Sequence, residues 1–228
     1  MSEPLLIVVV RFNQASGRAR QWGLQRRGDL AALYLAVTIG HKETMPRTSP
    51  ADLARYEELI LQTLRELGLS ESLAKTRKQP AQLECDGANL VSIGLDLLGR
   101  EQRLERRTAE RWVAMQAAAE REHVIIGVVS AFRSFDYQRG IIARKLAAGQ
   151  SVEQILAVSA LPGFSEHHSG RAVDVGTPGC PHLTEEFEQT AAFSWLTRHA
   201  ADYGFQLSYP RENPHGIVFE PWHWLFLR

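Results

Sequence analysis

Ser165-Glu166-His167-His168-Ser169-Gly170-Arg171-Ala172-Val173-Asp174 brings imidazoles and carboxylates close together in the chain. A second short stretch, Glu220-Pro221-Trp222-His223, adds another carboxylate and another imidazole. Ala172 to Val175 alternates in the manner of a strand. Ala172 and Asp174 share one face and Val173 and Val175 the other, so the Asp174 carboxylate emerges from a rigid element. Glu220 and His223 would point opposite ways on a regular strand, and Pro221 can bend the chain to bring both towards one centre.

This residue set suits a metal. Zinc in a hydrolase takes three nitrogen or oxygen ligands and keeps a fourth position for water. Two histidines and Asp174 fill that requirement and leave Glu220 over, as a carboxylate able to take a proton from water. Spacing does not choose within the doublet: even separation from Asp174 favours His168, but Gly170 interrupts that register.

Working outward, Thr48-Ser49-Pro50 reads as a helix start, with Leu53, Tyr56, Ile60 and Leu64 at helical steps and Gly68 as the stop. Leu90 to Asp96 reads as a strand turning at Gly99. Leu104, Thr108, Trp112, Met115 and Ala119 fall on one helical face, which is a core stripe. Val124 to Val129 reads as a buried strand leading into Ser130-Ala131-Phe132-Arg133-Ser134. Helices are expected over 136–148 and 152–159, and another carries Phe193, Leu196, Ala200 and Tyr203. The chain ends in strand-like text over 206–209 and 218–226, and it has no internal repeat. Strands and helices without regular alternation predict an α+β fold.

Composition excludes several classes. The 228 residues are 44% hydrophobic and 23% charged, as in a soluble globular protein. Basic and acidic residues balance at 26 each, so no global charge draws the chain to nucleic acid. The apolar runs over 5–10 and 30–39 are too short to span a membrane and lack the layout of an export signal. Together with two isolated cysteines, Cys85 and Cys180, this gives a cytoplasmic expectation.

The residues resemble a known family: the D-Ala-releasing zinc carboxypeptidases related to VanY, in the group that includes D,D-dipeptidases and the hedgehog-type (LAS) fold. The family pattern Ser-x-His-x-x-Gly-x-Ala-x-Asp is met by Ser165, His167, Gly170, Ala172 and Asp174. The pattern Glu-x-Trp-His is met by Glu220, Trp222 and His223. Ser130 to Ser134 with Gln138 resembles the family's arginine motif, and Leu207-Ser208-Tyr209-Pro210 its approach to the last motif. The likeness covers residues 55–228 and fails before Met45.

The resemblance implies a small antiparallel sheet carrying the metal, with helices around it. It implies Zn²⁺ held by His167, Asp174 and His223, Glu220 as general base, and Arg133 at the oxyanion. Ser165 and Gln138 are carried over as contacts to the substrate's terminal carboxylate, with Tyr209 in the same pocket. The expected organisation is a poorly structured N-terminal extension over 1–44, then one domain over 45–228 with a helical part (45–100) and a catalytic core (101–228). The implied activity is removal of the C-terminal D-alanine from peptidoglycan stem peptides or muropeptides. The alternatives are L,D-carboxypeptidase action on cytoplasmic tetrapeptides, and a zinc-dependent peptidoglycan-binding module that has lost catalysis. Retention of both Glu220 and Arg133 argues against the latter.

Overall fold

Helix α1 (Pro50–Glu66) begins where a reciprocal cap can form: Asp52 N donates to Ser49 Oγ and Ser49 N to Asp52 Oδ2, each at 3.2 Å. These residues open the part of the chain that the computed structural model describes, residues 49–227. The expected extension over 1–44 lies outside the described residues. Along α1, Ile60 and Leu64 are buried, whereas Leu53 is 49% exposed and does not join the stripe expected of it. Ile60 and Leu64 pack with Phe135, Ile142, Ile155 and Leu161 in a minor hydrophobic cluster. It draws on α4 (Phe135–Ala147) and α5 (Val152–Val158). A short helix, α2 (Ser72–Thr76), follows α1.

A hairpin of β1 (Leu90–Leu95) and β2 (Glu101–Glu105) comes next. Its turn is organised by the Asp96 carboxylate, which accepts from the backbone of Leu98 and Arg100 and the side chains of Arg100 and Gln102 at 2.8–2.9 Å. Strand β2 corrects the sequence reading, in which Leu104 began the following helix. Leu104 is instead the inward residue of a short strand paired to Val91, and helix α3 (Arg106–Arg121) starts beyond it, capped by Glu105. Glu101 to Glu105 is charged and lacks β-branched residues, so pairing with β1 overrides its weak local preference.

The central sheet has four antiparallel strands in the order β3 (Gly127–Ser130), β4 (Ala172–Gly176), β6 (His223–Phe226) and β5 (Phe205–Leu207). One face carries Val173, Val175, Trp224 and Phe226 into the main core, against Trp112 and Met115 of α3 and Trp195 and Leu196 of α6 (Ala191–His199). The expected helix through Tyr203 changes at Ala200 to a tighter 3₁₀ turn closed by Gly204. The terminal strands are shorter than expected, because residues 210–222 form turns that bring Glu220 back to the sheet. On the other face the register aligns Asp174 with His223 across β4 and β6. Cys85 and Cys180 are free. Among the described residues no helix is long and apolar enough to cross a membrane.

Candidate metal centre

Asp174 and His223 are direct cross-strand partners, which sets their side chains on the same face within about 5 Å at Cβ. His167 arrives from a 3₁₀ turn, Glu166–Ser169, that stops at Gly170 with φ +68°. A β-carbon on Gly170 would lie 2.9 Å from the Glu105 backbone nitrogen, so only glycine allows both the left-handed backbone and this close approach. One donor atom from each of His167, Asp174 and His223 lies within 4.8 Å of the other two, and all three residues are buried.

Each imidazole is oriented through its other nitrogen, as metal-binding histidines commonly are. His167 Nδ1 donates to the Ala131 carbonyl at 2.6 Å, leaving Nε2 towards Asp174. His223 Nε2 donates to Glu166 Oε2 at 2.9 Å, with Nδ1 3.0 Å from Asp174 Oδ1. His168 is different. Its Nδ1 donates to the Arg133 carbonyl at 2.7 Å and its Nε2 accepts from Gly163 N at 3.1 Å, so both nitrogens are engaged. His168 is a buried brace for the loop that carries Arg133.

Electrostatics follow from burial and neighbours. Burial and the nearby Arg133 push His167 down to about 4. Burial opposes charging of His223, but the Asp174 and Glu166 carboxylates outweigh it and hold the ring up at about 10. Asp174 is held well below the usual carboxylate range, since His167 and Arg133 overcome the cost of its burial. Glu220 is pushed up to about 7 by burial, against the pull of His223.

Glu220 Oε2 lies 3.8 Å from His223 Nδ1. The turn is held by Glu220 N donating to the Tyr209 carbonyl (3.0 Å) and His223 N to the Glu220 carbonyl (3.1 Å). That short turn lets residues three apart face one centre. The Glu220 carboxylate makes no hydrogen bond with the described residues.

Arg133 Nη2 is 2.6 Å from both His167 Nε2 and Asp174 Oδ2, and Nε donates to Ser130 Oγ at 3.1 Å. The guanidinium therefore stands directly against the donor set. Gln138, expected at a substrate carboxylate, is buried; its amide donates to the Ala160 carbonyl (2.8 Å) and its oxygen faces Arg133 Nη1 at 3.5 Å. In this structure Gln138 supports Arg133. Ser165 is buried beside the 3₁₀ turn, and Tyr209 is a buried wall whose ring lies 4.7 Å from that of His223. Sequence reasoning gave Glu166 no role. Its one signal was a carboxylate directly preceding a metal-type histidine.

The donor chemistry fits zinc: two imidazole nitrogens and one carboxylate oxygen, each already aimed by a partner. A family profile for VanY, D-alanyl-D-alanine carboxypeptidase, matches residues 101–228. A D-alanyl-D-alanine carboxypeptidase of Enterococcus faecium is 30% identical over 160 residues, covering 64% of this chain and 47% of that protein. The solved LdcB LD-carboxypeptidase, described in terms of peptidoglycan recognition, is similar with a TM-score of 0.56 and 28% identity, covering 64% of this chain and 71% of the other. A mutant of the D,D-pentapeptidase VanY in complex with Zn(II) is similar with a TM-score of 0.50 and 27% identity, covering 66% and 83%. The chain spans about half the length of the first curated relatives it matches.

Proposed function

The chain belongs to the VanY D-alanyl-D-alanine carboxypeptidase family, and from that premise we propose that it is a zinc carboxypeptidase removing the C-terminal D-alanine from peptidoglycan stem peptides. The observation that carries this reading is the arrangement of the Glu220 carboxylate, which makes no hydrogen bond among the described residues, 3.8 Å from a nitrogen of the buried His/Asp/His set. His167, Asp174 and His223 would hold the ion. When bound, zinc supplies Lewis-acid polarisation of the scissile carbonyl and the attacking water. Glu220 takes the water proton and delivers it to the departing amine of D-alanine, a double role suited to a carboxyl poised near neutrality. Arg133 contributes fixed positive charge where the carbonyl oxygen becomes negative. A guanidinium has no lone pair to donate, so its contact with the ligand atoms is not coordination. Gln138 holds the guanidinium, while Ser165 and Tyr209 wall the pocket for the terminal carboxylate.

The likeness to the LdcB LD-carboxypeptidase favours a second reading, release of D-alanine from tetrapeptides. Incubating zinc-loaded protein with defined tetra- and pentapeptide muropeptides, followed by mass spectrometry, separates the two. Loss of the last D-alanine from the pentapeptide alone supports D,D action, and from the tetrapeptide alone L,D action. Binding without release from either would mark a binding module.

A further inference from the structure

A groove of about 320 Å³ opens from Arg133 between β2 and residues 130–137, and the zinc chemistry leaves it unexplained. Arg133 joins it to the metal centre, so a substrate extending in this direction enters it. Its charges differ in availability. Arg100 is already engaged, with Nε on Asp96 and Nη2 on the Val129 carbonyl, both at 2.8 Å. Arg103 has no carboxylate partner among the described residues, and its guanidinium lies over the Phe132 ring, 5.7 Å from the centroid. Glu101, two residues earlier on the same exposed face of β2, likewise has no ionic partner among the described residues.

This segment is rigid. Gln102 and Leu104 point inward: Gln102 donates to Asp96 and accepts from Ala131 N, and Leu104 is fully buried. Phe132 N donates to the Arg103 carbonyl at 3.1 Å, which ties β2 to the residue next to Arg133. The strand thus presents a cation and an anion that have no ionic partner among the described residues, about 7 Å apart at Cα, in the groove that Arg133 also lines. Side chains of opposite charge at that spacing suit a ligand whose carboxylate and ammonium sit on one carbon.

Resting on the function proposed above, we infer that this groove binds the free amino-acid end of a diaminopimelate side chain in the stem peptide. Arg103 takes the carboxylate in a planar, two-pronged contact, and Glu101 takes the ammonium. The diamino residue lies next to the residue that carries the scissile carbonyl in a pentapeptide. Arg103 and Arg133 line the same groove, and Phe132, whose N–H donates to the Arg103 carbonyl, is the residue next to Arg133. A lysine in its place offers only the ammonium and leaves Arg103 unmatched.

The test uses pentapeptides with meso-diaminopimelate, lysine, or diaminopimelate carrying a side-chain carboxamide at the third position. The first is also made with its γ-linked glutamate amidated. Release of D-alanine is measured for zinc-loaded wild type, Arg103→Gln and Glu101→Gln. Dissociation constants are measured by calorimetry in the Glu220→Ala background. The diaminopimelate peptide should exceed the lysine peptide about 10-fold in kcat/KM, mainly through KM, as expected for one hydrogen bond to a charged group. The carboxamide and Arg103→Gln should each bring that ratio close to unity, Arg103→Lys should restore part of it, and Glu101→Gln should weaken both peptides, since each offers the ammonium. Amidating the glutamate should leave it unchanged. Equal use of both third residues, a preference that survives Arg103→Gln, or one that follows the glutamate carboxylate would overturn the inference. Absence of D-alanine release, with the same Arg103-dependent preference in binding, would refute the hydrolase reading and leave the groove assignment standing.

Discussion

His223 donates from Nε2 to Glu166 Oε2 at 2.9 Å, so the last imidazole in the chain is aimed by the residue immediately before His167. The two sequence motifs are thereby linked twice, once through their shared donor cluster and once through this bond behind it. Burial alone would raise the Glu166 carboxyl, but the bond to His223 outweighs it and keeps the group ionised. The same bond fixes which nitrogen of His223 faces Asp174.

Glu166→Gln should therefore weaken zinc binding while leaving every ligand in place. Loss of an oriented carboxylate behind a metal-bound imidazole costs about 10–100-fold in affinity. Competition with a chelator of known affinity reads this directly. An unchanged zinc dissociation constant would show that the backbone alone orients His223.

The neighbouring histidines should separate cleanly. His167→Ala removes one of the three residues proposed to hold the ion and should lose zinc by elemental analysis. His168→Ala should retain zinc but unfold more easily, by about 2–4 kcal/mol, since it deletes a buried ring and leaves the Gly163 N–H and the Arg133 carbonyl unpaired. Zinc lost only from the His168 variant would reverse the assignment within the doublet.

These pairings also show what sequence could and could not reveal. The face of β4 bearing Asp174 was readable, because two-residue alternation in 172–175 leaves the carboxylate opposite two core valines. The convergence of Glu220 and His223 was readable only as a consequence of Pro221. The doublet was not resolvable by spacing, because the choice depends on partners 36 and 35 residues away, the carbonyls of Ala131 and Arg133. Strand β2 escaped detection because a charged pentapeptide gains its conformation from β1 and from the Asp96 turn. The exposure of Leu53 was equally hidden, since helical periodicity says which residues share a face and not where the neighbouring elements stop.

The Asp96 turn should govern the acid stability of the hairpin. Burial raises its carboxyl, but the Arg100 and Leu98 N–H donors and the Arg100 guanidinium outweigh it and hold it below its ordinary value. A depressed folded pKa contributes stability that is present above the unfolded value, about 3.9, and is lost as pH falls through the folded one. Asp96→Asn should cost about 1–3 kcal/mol at neutral pH, and the gap from wild type should narrow below pH 4. Denaturant melts across pH 2.5–7 check both parts, and a gap independent of pH would contradict the ionic account.

Arg133→Lys keeps the charge but loses the planar fork that meets Ser130, Asp174 and Gln138 together. Turnover should fall about 10²–10³-fold, the range for losing one oxyanion contact, with zinc content unchanged. Turnover equal to wild type would remove Arg133 from the chemistry.

The central claim is that Glu220 moves the proton and does not hold the metal. Its direct test is D-alanine release from a pentapeptide by wild type and Glu220→Ala, with zinc measured in the same samples. The account predicts one zinc per chain in both proteins and turnover reduced by at least about 10²–10⁴-fold in the variant, as expected when a general acid–base group serves two proton transfers. Zinc lost together with activity would make Glu220 a ligand, and full zinc with undiminished turnover would contradict the account outright.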